Sequence, residues 1–297
     1  MLQSKWPLIR GSQVFASSLV ILAAGLVQAE EPPKSREDLQ EPVFRVANAS
    51  LTPASANAHP LDPALKIAYE GLERIRTHVA DYSCTLVKQE RVDGVLNPEE
   101  YMYAEIRNRK QVEDKLATPF GVYLHFLKPT SVKGREVIWV EGANSGKMVA
   151  HEGGNLRLVP SIWLRPDGPI AMHGNLYPIT DIGIETLIAK LIEKGERDRK
   201  RDECEVEFIK GAKINGRTCT VLQVKHPTQR PWFDFHIAQV FIDDELQLPV
   251  RYAAYTWPSE PGGKPELLEA YTYLNLKLNI GLTEADFDHK RKFRNGG

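Results

Sequence analysis

Hydrophobic positions recur along this chain with two different periods. From residue 62 the spacing of Leu65, Ala68, Leu72, Ile75 and Val79 is helical, and Asp62-Pro63 supplies a start signal, so a helix is predicted there with Asp62 as its N-cap. Beyond residue 80 the period falls to two. Alternation predicts strands at 82–92, 99–109, 119–128, 134–141, 146–152, 155–159, 203–214, 217–226, 235–244, 248–257 and 266–278. Turn pairs such as Asp93-Gly94, Gly153-Gly154 and Asn215-Gly216 separate them. The links are too short for parallel crossovers, which implies an antiparallel meander. Residues 160–178 interrupt it with a Pro/Gly-rich stretch, followed by a helix over 181–196 that carries Ile184, Leu187, Ile188, Leu191 and Ile192 on one face. Loop and helix together are expected to form a lid over 160–196.

The strands themselves are two-faced. Phe120, Val122, Leu124 and Phe126 alternate with Gly121, Tyr123, His125 and Leu127, and Leu268, Ala270, Thr272, Leu274, Leu276 and Leu278 alternate with Glu269, Tyr271, Tyr273, Asn275 and Lys277. Two helices of about 16 residues cannot cover the apolar face of so many strands, which predicts unfilled apolar volume under the lid. The expected fold is α+β and mainly antiparallel β: a curved, open half-barrel of about eleven strands around the N-terminal helix and the lid. Its ligand-facing residues are expected to be Phe120, Val122, Leu124, Phe126, Val149, His151, Leu156, Leu158, Trp163, Met172, Leu187, Leu191, Leu274 and Leu276.

The ends of the chain read differently. Lys5 and Arg10 precede the apolar run Val14 to Val27, which closes on "VQA" and predicts a secretory signal peptide over 1–29, cleaved near Ala29. Glu30 follows, so the cysteine that marks a lipoprotein anchor is missing at that site. Residues 30–61 lack a sustained apolar period and read as a disordered tether. A single domain is expected over 62–288, with a basic, solvated tail over 289–297. Net charge is −1, with 38 Lys and Arg against 39 Asp and Glu, which gives no electrostatic reason to expect nucleic acid. Membrane association is expected to be peripheral at most, since no later apolar run has spanning length.

Catalytic candidates are thin. His151-Glu152 begins a zincin-like HExx pattern, but Asn155 stands where the second histidine belongs, and the two glycines break the helix that pattern needs. With Gly153-Gly154 as a two-residue turn, strand parity places His151 beside Val149, Leu156 and Leu158, and Glu152 beside Ala150, Asn155 and Arg157. The pair therefore divides between two faces. His151 is then either a satisfied buried imidazole or a polar contact inside an apolar cavity, and Glu152 is expected to meet Arg157. Asp243 and Asp244 fall at a turn, where Asp is common. No Gly-x-Ser-x-Gly, P-loop or dinucleotide fingerprint occurs, so no catalytic residue, metal or cofactor is expected. Tyr101, Tyr255, Trp257 and Tyr273 are packing residues or, alternatively, a carbohydrate- or partner-binding strip. Of three cysteines, Cys204 and Cys219 would be separated by about eight residues along a hairpin turning at Asn215-Gly216, on the order of 26 Å at ~3.3 Å per residue, and could bridge only if the chain turned at Gly211-Ala212 instead. Cys84 is left either bridging to one of them or buried as a small hydrophobe.

The stretches "DYSCTLVKQERVDG", "GREVIWVEGANSGKMVAHEGG", "DGPIAMHGNLYPITDIGIETL", "DFHIAQVFIDDELQLPVRY" and "YTYLNLKLNIGLTEADFD" resemble an exported bacterial family catalogued as domain of unknown function 1571. The resemblance spans nearly the whole domain and implies no activity for any residue. More distantly, the helix, long meander, lid and closing "GLTEADF" turn are similar to the periplasmic lipoprotein carriers of the Lol system. That similarity implies an open barrel shielding acyl chains under a helical lid. The expectation is a non-enzymatic protein of the periplasm or cell envelope that binds an apolar ligand, a lipid or lipoprotein acyl chain. The alternatives are a structural module that docks an envelope protein and, behind it, a metal-dependent hydrolase.

Overall fold

A computed structural model describes residues 59–153, 160–201, 203–260 and 262–295. The expected leader, almost all of the expected tether and the strand predicted at 155–159 lie outside the described residues. Helix α1 spans Asp62–His78, with Leu61 at the cap position and Pro63 in the first turn. The acid is one place inside the helix, where it suits the positive end of the dipole. It also bonds Arg199 at 2.5 Å.

The strands are β1 (Asp81–Val92), β2 (Val95–Leu96), β3 (Glu100–Arg107), β4 (Lys110–Val112), β5 (Lys115–Thr118), β6 (Gly121–Lys128), β7 (Glu136–Val140), β8 (Met148–His151), β9 (Ile162–Leu164), β10 (Glu205–Ile214), β11 (Arg217–Lys225), β12 (Ile237–Asp243), β13 (Pro249–Tyr255) and β14 (Leu267–Leu278). Three further helices are α2 (Pro169–Met172), α3 (Ile184–Asp198) and α4 (His289–Asn295). Most predicted strands fall within a few residues of an observed one. The hairpin β4–β5 was not expected, because its two turn residues with positive φ are Glu113 and Asp114, which carry no Asn-Gly signature. At Asn215-Gly216 that signature is present, both residues have positive φ, and Ile214 opposes Arg217.

Among the described residues all pairings are antiparallel, and twelve strands form one sheet, with β4 and β5 apart. The path is not a single meander. From one edge to the other the order is β9-β8-β7-β6-β3-β1-β14-β13-β12-β11-β10, with β2 attached to β1. The chain therefore winds outward from the centre to β9, restarts at the opposite edge with β10, and winds back until β14 pairs with β1. Residues 165–204 must travel from one edge to the other, and they carry α2 and α3 as they do so.

One face of the sheet packs under the helices. Leu86, Met102, Ala104, Val122, Leu124 and Val137 meet Ile75 of α1 and Ile184 and Ile188 of α3. A second cluster joins Leu65 of α1 to Leu222, Val240 and Tyr252. The opposite face is also covered. Tyr123, Ile138, Val140 and Val149 pack against Phe287, with Leu282 and Phe293 beside them. The basic C-terminus, expected to be solvated, is thus a docked helix: Lys292 bonds Glu105 and lies over the Tyr123 ring, and Phe293 stacks on His151 at 5.6 Å. Its periodicity was hidden by charge, because a cation on a helix can pair and stack as well as face water.

Cys84, Cys204 and Cys219 form no disulfide with one another. Cys84 and Cys219 are buried, and burial pushes both thiols up to about 12. Native protein at pH 8 should therefore leave Cys84 and Cys219 unlabelled by iodoacetamide while half-buried Cys204 reacts, and all three should react in urea; mass spectrometry of the alkylated peptides reads the pattern.

Candidate functional site

Between the helix-bearing face of the sheet and the crossing segment lies a cleft of about 720 Å³. Its floor comes from alternate residues of five adjacent strands: Leu86 of β1, Met102 of β3, Leu124 and Phe126 of β6, Val137 of β7, and Met148 and Ala150 of β8. Leu187 and Leu191 of α3 face it from above, and Ile162, Leu164, Pro166 and Ile170 stand at one side. Ile162 and Ile170 are exposed. A smaller apolar pocket of about 90 Å³ lies beyond α3, beneath α1, and shares Leu191 and Lys194 with the cleft.

Helix α3 is held over the sheet at its start by an unusual backbone position. Gly183 has φ +122, a conformation costly for any side chain, and a Cβ there would lie 3.2 Å from the Tyr82 hydroxyl. That hydroxyl accepts the Ile184 N–H at 2.8 Å, one of the helix's otherwise unpaired first donors. Tyr82 is fully buried. Replacing Tyr82 with phenylalanine should cost roughly 1–3 kcal/mol in urea unfolding, because a buried N–H loses its partner while the ring stays in place. Wild-type stability in that variant would contradict this account of how α3 is anchored.

The segment before α3 is pinned by β1. Glu90 accepts the Leu176 N–H at 3.0 Å, Lys88 donates to Asn175, and Lys88 pairs with Glu100 at 2.9 Å. Toward β13 and β14 the cleft becomes polar, lined by Tyr177, Tyr252, Glu269, Tyr271 and Tyr273. Tyr271 donates to Glu90 at 2.6 Å, and Tyr252 to Glu269 at 3.2 Å. Burial, and then the neighbouring carboxylates, drives the Tyr271 phenol far above its ordinary range; burial does the same to Tyr252. These phenols stay neutral donors at any physiological pH.

The structure separates the fourteen expected ligand residues. Leu124, Phe126, Leu187 and Leu191 line the cleft. Val122 is buried in the core beneath it, and Phe120 and Leu276 pack half-buried against the same core. Val149, His151 and Trp163 do not reach it. They lie on the far face, where Val149 packs near Phe287, His151 stacks on Phe293 and Trp163 meets His289 at 5.1 Å. Met172 is half-buried at the end of α2 and is absent from the cleft wall. Leu156 and Leu158 lie outside the described residues.

Two physical causes account for the displaced residues. Parity does divide His151 from Glu152, but the faces are reversed: Ala150 and Glu152 line the cleft and His151 points away. Both faces of β6–β8 are apolar because the C-terminal segment covers the outer one, so alternation alone does not tell inside from outside. Glu152 bonds Arg135 at 3.0 Å across the strands; its expected partner Arg157 lies outside the described residues. Gly153 is demanded by a close approach, since a Cβ there would strike the Gly134 backbone at 2.2 Å. In β14, Asn275 has positive φ at a shift in the β1 register, and the extra residue inverts the alternation. Tyr271 and Tyr273 therefore face the cleft, Leu274 is buried on the other side, and Leu276 returns to the core. Tyr101 and Tyr273 fall on opposite faces, so the alternative of one aromatic strip joining them does not form.

The acids and phenols of the polar end, Glu90, Glu269, Tyr177, Tyr252 and Tyr271, were not anticipated. The available signal was Glu269, whose alternation with Tyr271 and Tyr273 sets a carboxylate and two phenols on one face of β14. Among the described residues no group of three His, Cys, Asp or Glu side chains could hold a metal, and no helix is long and apolar enough to cross a membrane.

An antiparallel sheet of this order, with helices crossing one face above a deep cleft, defines an α+β cleft protein. Residues 79–293 match the model of a family described as "Protein of unknown function (DUF1571)", and the chain belongs to that family. No curated protein matches it. Among solved structures it is similar to a DUF1329 family protein from Desulfovibrio piger, at 12% identity and TM-score 0.38, over 78% of this chain and 99% of that one. It is similar to a putative outer membrane lipoprotein-sorting protein domain from Vibrio parahaemolyticus, at 15% identity and TM-score 0.36, over 76% and 96%. A LolA superfamily protein from Nitrosomonas europaea is similar at 9% identity and TM-score 0.30, over 75% and 96%. At these distances no residue role passes from one chain to another.

Proposed function

We propose that this protein is a non-enzymatic binder or carrier of an apolar ligand, the acyl chain of a lipid or lipoprotein, in the periplasm or cell envelope. The observation that carries the reading is the cleft itself: about 720 Å³ of open volume over an apolar floor. Cavities of this size suit small amphiphiles, and leaving so much apolar wall wet costs stability that a bound chain returns. In this reading the sheet is a half-barrel whose concave side holds the chain, and 160–196 is its lid within a domain of residues 62–288. The basic, apolar-cored leader at residues 1–29 supports an exported location.

Delipidated protein should take up a fluorescent fatty acid saturably, with one site per chain, and native mass spectrometry of protein purified without detergent should show co-purifying lipid. Absence of both would overturn the reading and leave the docking of an envelope protein as its successor.

A further inference from the structure

Beneath α1, on the far side of α3 from the cleft, lies the apolar pocket of about 90 Å³. Its walls are Ala64 and Leu65 of α1, Leu222 of β11 and Ala238 and Val240 of β12, and its walls on α3, Leu191 and Lys194, are walls of the cleft as well. The space is not slack between the helices. Gly195 of α3 approaches α1 so closely that a Cβ there would lie 2.9 Å from Leu65 Cδ2, so the helices touch and the void lies between them and the sheet. An apolar void of this kind stays dry, and its lining forfeits dispersion contacts that a close-packed interior would keep. Pocket and cleft also share one apolar surface. A single hydrophobic cluster joins Leu187, Leu191 and the Tyr252 and Tyr271 rings of the cleft wall to Leu65 and Val240 of the pocket wall. The polar groups along this boundary are matched among themselves: Glu269 is held by Tyr252, Tyr271 and Tyr177 and pairs with Lys194 at 3.9 Å, and Glu90 lies 3.5 Å from Lys88. They require nothing from a ligand. What they leave to it is ring surface, since Tyr252 and Tyr271 lie parallel with their centroids 6.4 Å apart.

We infer that this pocket is a subsite for the methyl end of a long hydrocarbon chain whose remainder lies in the cleft, with the Leu191 side chain as the partition between them. The inference rests on the reading of the cleft as an acyl-chain site and adds a chain-length preference to it. Size selects the occupant. The pocket has the volume of about three water-sized groups at ~30 Å³ each, which suits the last few carbons of a chain and is too small for a separate ligand or a second chain. Leu191 is half-buried with open volume on both sides, so a change of rotamer is enough to join the two spaces. A chain that crosses there replaces an empty apolar wall with contacts, and each methylene it buries is worth about fourfold in affinity.

The test uses the full delipidated chain and competition of tetradecanoate and octadecanoate, each below its aggregation concentration, against a fluorescent fatty acid. Wild-type protein should bind octadecanoate at least about tenfold tighter than tetradecanoate. Ala238→Leu adds an isopropyl group to the pocket from the sheet, and Ala64→Leu adds one from α1, so that either variant serves if the other does not unfold cooperatively in urea. Each should bring the two fatty acids to within about twofold of one another. A tenfold preference that survives in either folded variant overturns the subsite and leaves the pocket a packing void only. Wild-type protein that binds both acids equally overturns the subsite alone, because the cleft still holds a chain. If neither acid binds wild-type protein, the acyl-chain reading itself fails.

Discussion

Replacing Phe287 with alanine should lower the free energy of unfolding by about 3–5 kcal/mol, as the loss of a buried aromatic side chain typically does. Phe287 is 6% exposed and joins Tyr123, Ile138, Val140 and Val149 on the far face of the sheet. Its ring lies 3.2 Å from the place a Cβ would occupy on Gly121, so the backbone there gives it room that no other residue type would. The guanidinium of Arg107 sits 4.9 Å from the ring centroid, buried, and donates to Glu284 in the same C-terminal segment. Removing the ring therefore opens a cavity and leaves a buried cation with less of its surroundings. Urea unfolding followed by far-UV dichroism measures the change. A loss under about 1 kcal/mol would mean that the segment after Asn279 is an ornament on the sheet and not part of its core.

Replacing Ala150 with tryptophan should abolish most ligand uptake, raising the dissociation constant for a fluorescent fatty acid at least about tenfold, while the protein still unfolds in one cooperative step. Ala150 belongs to the cleft floor between Met148 and Glu152, and a larger side chain at this position extends into the open volume. Overpacking elsewhere in a core costs ~1–3 kcal/mol, but here the added atoms have somewhere to go. Undiminished uptake in a folded Ala150→Trp protein would place the ligand outside this cleft. His151→Ala is the matching control. His151 faces Phe293 on the other side of the sheet, so its removal should leave uptake unchanged.

The contrast between those two neighbours shows where the reach of the sequence ends. Alternation places residues 150 and 151 on different faces without structural help, because a strand admits no other arrangement. It does not say which face is the cavity. That depended on the C-terminal segment, whose Phe287 and Phe293 make the outer face of β6–β8 nearly as apolar as the inner one. In β14 the alternation groups Ala270, Thr272 and Leu274 on one face, but that face lies away from the cleft, and a single residue with positive φ, Asn275, reverses the parity after it. Asn tolerates that conformation, and it adopts it here without a turn signal around it.

What the sequence by itself determined is local: the helix at 62–78, most of the strands, the Asn215-Gly216 turn, the antiparallel pairing of neighbours and the second helix with its apolar stripe. Each follows from periods and turn chemistry contained within about a dozen residues. What only the tertiary structure decided is the strand order, with β1 beside β14 and the two free ends of the winding on opposite edges. That order forces residues 165–204 across the face of the sheet, and the crossing encloses the cleft. It also brings Glu90 of β1, Glu269 and Tyr271 of β14 and Tyr177 of the crossing segment together. Their meeting depends on a pairing between residues nearly 200 positions apart, such as Tyr82 with Leu278, which no local pattern encodes.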